Sequence, residues 1–533
     1  MKFTELKRKS FLISFIGIFS LIIALSFTGC ELKTTEEVIT EGKRFEITLT
    51  QYGLVPSQEI LNTTAAKSDT TMMKAVVGGS GTTQPNSTNV PVESNISVAF
   101  DADIDVSTLN TATFKVTRVD TSEVLTGTVT YANRIAVFIP TKIFVFDTVK
   151  KSKIRKGLKQ DTSYKVTIAA ASIKSTSGVP QGTADYTLTF KTIDIDYGFY
   201  FLGPNGEYQK AVPGESNPYY DKNKPTIVYY HGWQNGSTKN EDFGNDNAFF
   251  FNSSTIGSYN TIGSWRSKGY NVCIAYWAQW ADEGEVKDAQ AKLWLANNGK
   301  KGMRYMIRSG SYLNYAGTKS VTDLLFDQYS AIFTGSTSGI RFMGHSLGNQ
   351  LATLMAYKIS NAVVAGTVSA NLMPKRVALL DPFWGKGSET YSGGVYPGAK
   401  CVTYMKEMLS RDAFALEEIR TNSNIGNWVG DSNTEMRKLA AYYCPWPSFG
   451  DDTAKHLYAY NWYSMSVDKL VYADKAPGVY GLGAAASDDQ IKATMNWDFT
   501  KKAVKTTLYK YDINLGKSTV TPADDSFKQL SGI

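Results

Sequence analysis

One apolar strand that must become a helix within a few residues constrains this chain more than any other feature. Gly339-Ile340-Arg341-Phe342-Met343 reads as that strand, and Leu351, Leu354, Met355 and Tyr357 recur at helical spacing beyond it. Between them lies Gly344-His345-Ser346-Leu347-Gly348. The two glycines let the backbone close tightly around the serine and let the helix approach the strand. Ser346 is thereby presented at the strand's end, where it needs a base to take its proton before it can act as a nucleophile. Only three histidines occur in the 533 residues, His231, His345 and His456. His345 flanks the serine, and His231 follows the apolar run Thr226-Ile227-Val228-Tyr229-Tyr230. His456 is the histidine free to be that base.

The length implies two folded units with appendages, given roughly 100 to 200 residues per domain. A formal charge of +7 with no basic stripe gives nucleic-acid binding no support. Zinc sites draw on closely spaced histidines, and these three are isolated. No glycine-rich phosphate loop follows a strand, so no metal, cofactor or nucleotide is expected.

Lys2, Lys7, Arg8 and Lys9 precede an apolar stretch from Phe11 to Phe27, which closes in Phe27-Thr28-Gly29-Cys30. This resembles a bacterial lipoprotein signal peptide, with Phe27 where leucine is usual. The resemblance implies cleavage after Gly29 and lipidation of Cys30, hence a chain anchored in a membrane of the bacterial cell envelope, outside the cytoplasm. Losing residues 1–29 would lower the formal charge to +4. Residues 30–85 are rich in Thr, Glu, Lys and Ser and read as a tether, within which Phe45 to Thr50 alternates as a strand does.

Residues 86–194 change to short alternating runs: Ile96, Val98 and Phe100; Phe114 and Val116; Val129 and Tyr131; Ile135, Val137 and Ile139; Tyr164, Val166 and Ile168; Tyr186, Leu188 and Phe190. Period-two patterning at this spacing predicts an antiparallel β-sandwich. Val90 to Phe100, Val106 to Leu109 and Tyr186 to Thr192 resemble the bacterial Ig-like modules of surface proteins, which implies a spacer or adhesive role.

From residue 195 to 533 apolar strands alternate with longer helix-capable stretches, predicting a mostly parallel sheet flanked by helices. Thr226–Tyr230, Val272–Tyr276 and Gly339–Met343 are its legible strands. With Tyr229-Tyr230-His231-Gly232-Trp233, Gly344-His345-Ser346-Leu347-Gly348, Val377 to Pro382 and His456-Leu457-Tyr458-Ala459-Tyr460, the segment resembles α/β-hydrolase lipases of the pancreatic type. The resemblance implies a Ser346, Asp381 and His456 triad; should Asp381 serve only its own loop, Glu407 and Asp412 in the following segment are the substitute acids. The elbow itself supplies the N–H of Leu347 as one oxyanion donor, and the resemblance adds that of Trp233. His231 and His345 are read as supporting the backbone. Asn349 departs from the small residue usual after the elbow, and the family's disulfide framework is absent.

Segments 278–335 and 383–455 read as insertions beside the catalytic face, carrying Trp277, Trp280, Trp294, Trp384, Trp428 and Trp446 as a lid, an acyl groove or packing helices. Residues 476–533 read as the end of the hydrolase unit. Cys273 lies in an apolar strand, leaving Cys401 with Cys444 as the candidate bridge. Together these readings point to a secreted, lipid-anchored carboxylic-ester hydrolase, lipase or esterase, acting on lipid in preference to short soluble esters. The alternative is a surface adhesin whose hydrolase fold is catalytically idle.

Overall fold

The computed structural model describes residues 47–50, 73–74, 87–147, 152–239, 249–253, 257–296, 301–422, 430–473, 481–517 and 520–533. The signal segment, Cys30 and Trp428 lie outside them. Among the described residues no helix is long and apolar enough to cross a membrane.

Two packed sheets form the N-terminal Ig-like domain. In one, Asn95–Phe100 pairs with Ile135–Pro140, which pairs with Gly127–Ala132; in the other, Tyr186–Thr192 and Ser163–Ile168 lie between Ser87–Val90 and Phe114–Arg118. Ile96, Val98, Phe114, Val116, Tyr164, Val166 and Ile168 fill the space between the sheets, all completely buried. The strand Ile135–Pro140 corrects its expected register. Ala136 and Phe138 face the core while Ile139 is 36% exposed, so the inward set is offset by one residue. Two short strands from the expected tether, Ile47–Thr50 and Met73–Lys74, also add to Asn95–Phe100.

The C-terminal region is an α/β-hydrolase arrangement built on a twelve-stranded mixed sheet. Its strands in chain order are β1 (Gly198–Leu202), β2 (Tyr208–Lys210), β3 (Thr226–Tyr230), β4 (Asn271–Tyr276), β5 (Ile340–His345), β6 (Pro374–Leu380), β7 (Ala415–Ile419), β8 (Ala441–Cys444), β9 (Val471–Ala473), β10 (Gly481–Leu482), β11 (Tyr509–Asn514) and β12 (Ser526–Ser531). They lie in the order β2-β1-β4-β3-β5-β6-β7-β8-β11-β12-β9-β10, parallel from β4 through β11. Helices α1 (Val286–Trp294), α2 (Val321–Ile332), α3 (Gly348–Val364) and α4 (Pro397–Arg411) pack on one another in succession. The other face carries α5 (Asp452–Met465), whose Ser464 hydroxyl lies 2.5 Å from that of Thr261 at the start of the short helix Ile262–Ser267. Local signals fix the helix starts: Ser320 and Asp323 form a capping box on α2, Pro397 opens α4, and the Asp451 carboxylate accepts from the Ala454 N–H at the start of α5.

After β3 the chain passes to β4 on one side and then to β5 on the other. The strand order therefore reverses at the β3–β5 boundary, where open α/β sheets leave a crevice beyond their carboxyl ends.

Two expectations are corrected here. Segment 383–455 is no insertion, because it supplies β7 and β8 to the middle of the sheet. Glu417 and Glu418 in β7 hide the strand signature; Glu417 is buried and accepts from the hydroxyls of Tyr443 at 2.8 Å and Tyr463 at 2.7 Å. Trp277, Trp280 and Trp384 are accordingly core side chains with no exposure. Cys401 and Cys444 do not bridge: one sits on the buried face of α4, the other ends β8 in the sheet, and with Cys273 they are buried free thiols. Burial pushes the Cys444 thiol up to about 12, so it carries no thiolate at neutral pH.

Candidate active site

The turn after β5 holds Ser346 at φ +53°, a left-handed conformation uncommon for a residue with a side chain. Close approach explains why. A Cβ on Gly348 would lie 2.0 Å from the Tyr230 carbonyl oxygen, and one on Gly344 would lie 2.7 Å from that of Gly348. The serine N–H donates to Leu380 O at 3.1 Å, and its carbonyl accepts from Phe383 N at 3.1 Å. The elbow is thus fastened to the end of β6. Ser346 is partly exposed between buried neighbours, so its side chain is reachable from solvent.

Asp381 follows β6 directly, also at positive φ, +38°. Its Oδ2 lies 2.6 Å from His456 Nδ1, near the start of α5. That geometry gives Nδ1 the proton to donate and leaves Nε2 as the basic nitrogen. His345 supports the same helix, its Nε2 lying 3.1 Å from the carbonyl oxygen of His456. Asn422 holds the helix start by donating to Asp452 O at 2.6 Å. Glu407 and Asp412 lie on and just after α4, where Tyr357 donates to the first at 2.9 Å and the Asp412 backbone N–H caps the helix. The structure brings Asp381, not these, to the histidine.

His231 is locked into the backbone beneath the loop. Its Nδ1 lies 3.0 Å from Gly232 O, its Nε2 accepts from Trp277 N at 3.1 Å, and the Trp277 indole stacks on it while donating to its carbonyl at 3.1 Å. The loop beyond is clamped by Ala281 to Glu283. Trp233 Nε1 donates to Glu283 O at 2.7 Å, Gln234 N to Ala281 O at 3.1 Å, and the Asp282 carboxylate accepts from Gly236 N at 2.7 Å and Thr238 N at 2.9 Å. Neither the Leu347 N–H nor the Trp233 N–H donates to an acceptor among the described residues. These are the two groups expected to serve as oxyanion donors.

Sequence reasoning missed two contributors. By sequence Asn349 is only a departure from the family pattern, yet its Nδ2 donates to Ser346 O at 3.0 Å and Leu380 O at 2.9 Å while its Oδ1 accepts from Leu380 N at 3.0 Å. A polar residue on the inward face of α3 was the available signal. Arg420, buried behind Asp381, was hidden in the segment taken for an insertion.

Residues 75–192 match the family model described as bacterial Ig-like domain. No curated protein matches the chain. Among solved structures, the chain is similar to the N-terminal part of the bacterial S-layer protein SbsC, at 16% identity over 22% of this chain and a TM-score of 0.15, and it spans only 25% of that chain. It is also similar to a thermostable esterase, at 13% identity over 66% of this chain and 86% of that one, TM-score 0.23. A third is a Pyrococcus horikoshii acylaminoacyl peptidase, at 10% identity over 63% of this chain and 45% of that one, TM-score 0.21.

Proposed function

We propose that the protein is a serine hydrolase of carboxylic esters, anchored through a lipidated Cys30 outside the cytoplasm. The observation that carries the reading is the 2.6 Å contact between His456 Nδ1 and Asp381 Oδ2 at the carboxyl ends of the strands that present the strained Ser346. In this reading His456 Nε2 takes the Ser346 proton as Oγ attacks the ester carbonyl. Asp381 stabilises the imidazolium that results, and the N–H groups of Leu347 and Trp233 receive the oxyanion. His456 then returns the proton to the leaving alkoxide, and water releases the acyl group by the same steps.

Lipid esters are favoured over short soluble ones. Trp233, Tyr396 and Trp446 are 37%, 43% and 42% exposed, and all three lie on loops that follow the carboxyl ends of β3, β6 and β8. They give the catalytic side an apolar rim suited to an acyl chain. Hydrolysis of nitrophenyl esters of short and long acyl chains, and of emulsified lipid, tests the proposal. Ser346→Ala should reduce turnover by on the order of 10⁴ to 10⁶. Turnover that survives the substitution would refute the mechanism, and a rate falling with acyl length would exclude the lipid preference.

A further inference from the structure

Asp381 is 1% exposed, and only one of its oxygens is engaged by His456. The other, Oδ1, is buried without a hydrogen-bond partner and faces Arg420 Nη1 at 4.0 Å. Arg420 is buried too. Its guanidinium donates to Glu418 Oε1 at 2.9 Å, to Pro382 O at 3.2 Å and to Ser432 O at 3.2 Å. The Pro382 bond secures the residue that follows Asp381, so the cation acts on the carboxylate both through space and through its backbone. Glu418 in turn lies 3.4 Å from Arg437 Nε. Charges of alternating sign therefore run Asp381, Arg420, Glu418, Arg437 behind the histidine.

A buried carboxylate with one oxygen lacking a hydrogen-bond partner is costly unless a cation lies close to it. Resting on the serine-hydrolase reading, the geometry points to Arg420 as a positioning residue that balances the Asp381 carboxylate and keeps it aimed at His456, with Glu418 setting how much of the guanidinium's field reaches the imidazole. The other groups near this pair are the His345 ring, 4.4 Å from that of His456, and Tyr460, packed edge-on against His345. Tyr442 faces Arg420 from β8. Asp452 and Lys455 on α5 are at least partly solvated.

The acid limb of kcat/KM for a short nitrophenyl ester, measured on the full chain, reads the effect. Arg420→Gln removes a cation, so the His456 imidazolium is less repelled and the limb moves upward, by about one pH unit. Arg420→Lys should return most of that displacement. Glu418→Gln keeps an acceptor for Arg420 but unmasks its charge, moving the limb the opposite way, with KM little changed in each case. Opposite displacements are what a merely structural role would not give, and should Arg420→Gln fail to fold, the downward movement in Glu418→Gln decides. Limbs that coincide with the unsubstituted protein, while Ser346→Ala abolishes turnover, would overturn the role of Arg420 and leave the hydrolase standing. Turnover that persists in Ser346→Ala would remove the reading beneath it.

Discussion

Asn349 joins the elbow to β6 through both donors and the oxygen of one carboxamide, two donated bonds and one accepted, at full burial. Asn349→Ala would orphan the Leu380 N–H and deprive two carbonyls of a donor in the interior. Each unmet buried group costs about 1–3 kcal/mol, so the substitution should lower the denaturation midpoint with the slope unchanged and reduce kcat as Ser346 loses its fixed position. A variant equally stable and equally active would show the elbow to be held by Gly344 and Gly348 alone. At this scale much of the candidate site was legible, because histidine is so scarce that elimination pointed to His456. Asn349 and Arg420 were not legible, since their roles depend on Leu380 and Asp381, partners 31 and 39 positions away.

The contact of α3 with β3 is an element-scale constraint concentrated in one atom. Gly348 opens α3 under the carbonyls of Tyr230 and His231, which an added Cβ would meet at 2.0 and 2.6 Å. Backbone cannot yield as a flexible side chain does, so Gly348→Ala should push the helix from the strand that precedes the His231-Gly232-Trp233 loop. Overpacking of this kind costs about 1–3 kcal/mol, and a displacement near 1 Å between nucleophile and oxyanion donors can cost about 10²-fold in rate. Thermal unfolding and kcat measured together check it, and an unaltered kcat would mean the helix start is not what aligns the site. Strands β3, β4 and β5 are readable because they are mostly apolar, with Arg341 the one charge among them. By contrast β7 is not legible: Glu417 and Glu418 interrupt its pattern, and the buried Arg376, Tyr443 and Tyr463 that make Glu417 tolerable lie on other elements.

At the scale of the whole molecule, the Ig-like domain and the α/β domain share a buried junction rather than a free linker. The hairpin Phe144–Asp147 and Ser152–Arg155 leaves the sandwich, places Phe144 in the core of the α/β domain, and buries Arg155 against Asp196 at 2.9 Å and the Tyr200 hydroxyl at 3.1 Å. Lys210 meets the other Asp196 oxygen at 2.7 Å. Nothing in the basic run around Arg155 revealed this, since its partners belong to the next domain. Burial alone would raise Asp196, but the Lys210 and Arg155 cations outweigh it and hold the carboxyl at about 2. Its folded value lies below the ordinary 3.8, so its contribution to stability is complete above about pH 4 and is lost as pH falls toward 2. Arg155→Met strips one cation and leaves the carboxylate buried, which should cost about 3–5 kcal/mol and start the acid loss at a higher pH. All ten tryptophans lie at or beyond Trp233, so their fluorescence reports the α/β domain alone while far-ultraviolet dichroism reports both domains. The two signals should melt together in the unsubstituted protein and separate in Arg155→Met, the sandwich unfolding apart from the α/β domain. Coincident transitions in both proteins, with equal midpoints across pH 2 to 7, would mean that this buried pair does not couple the two domains.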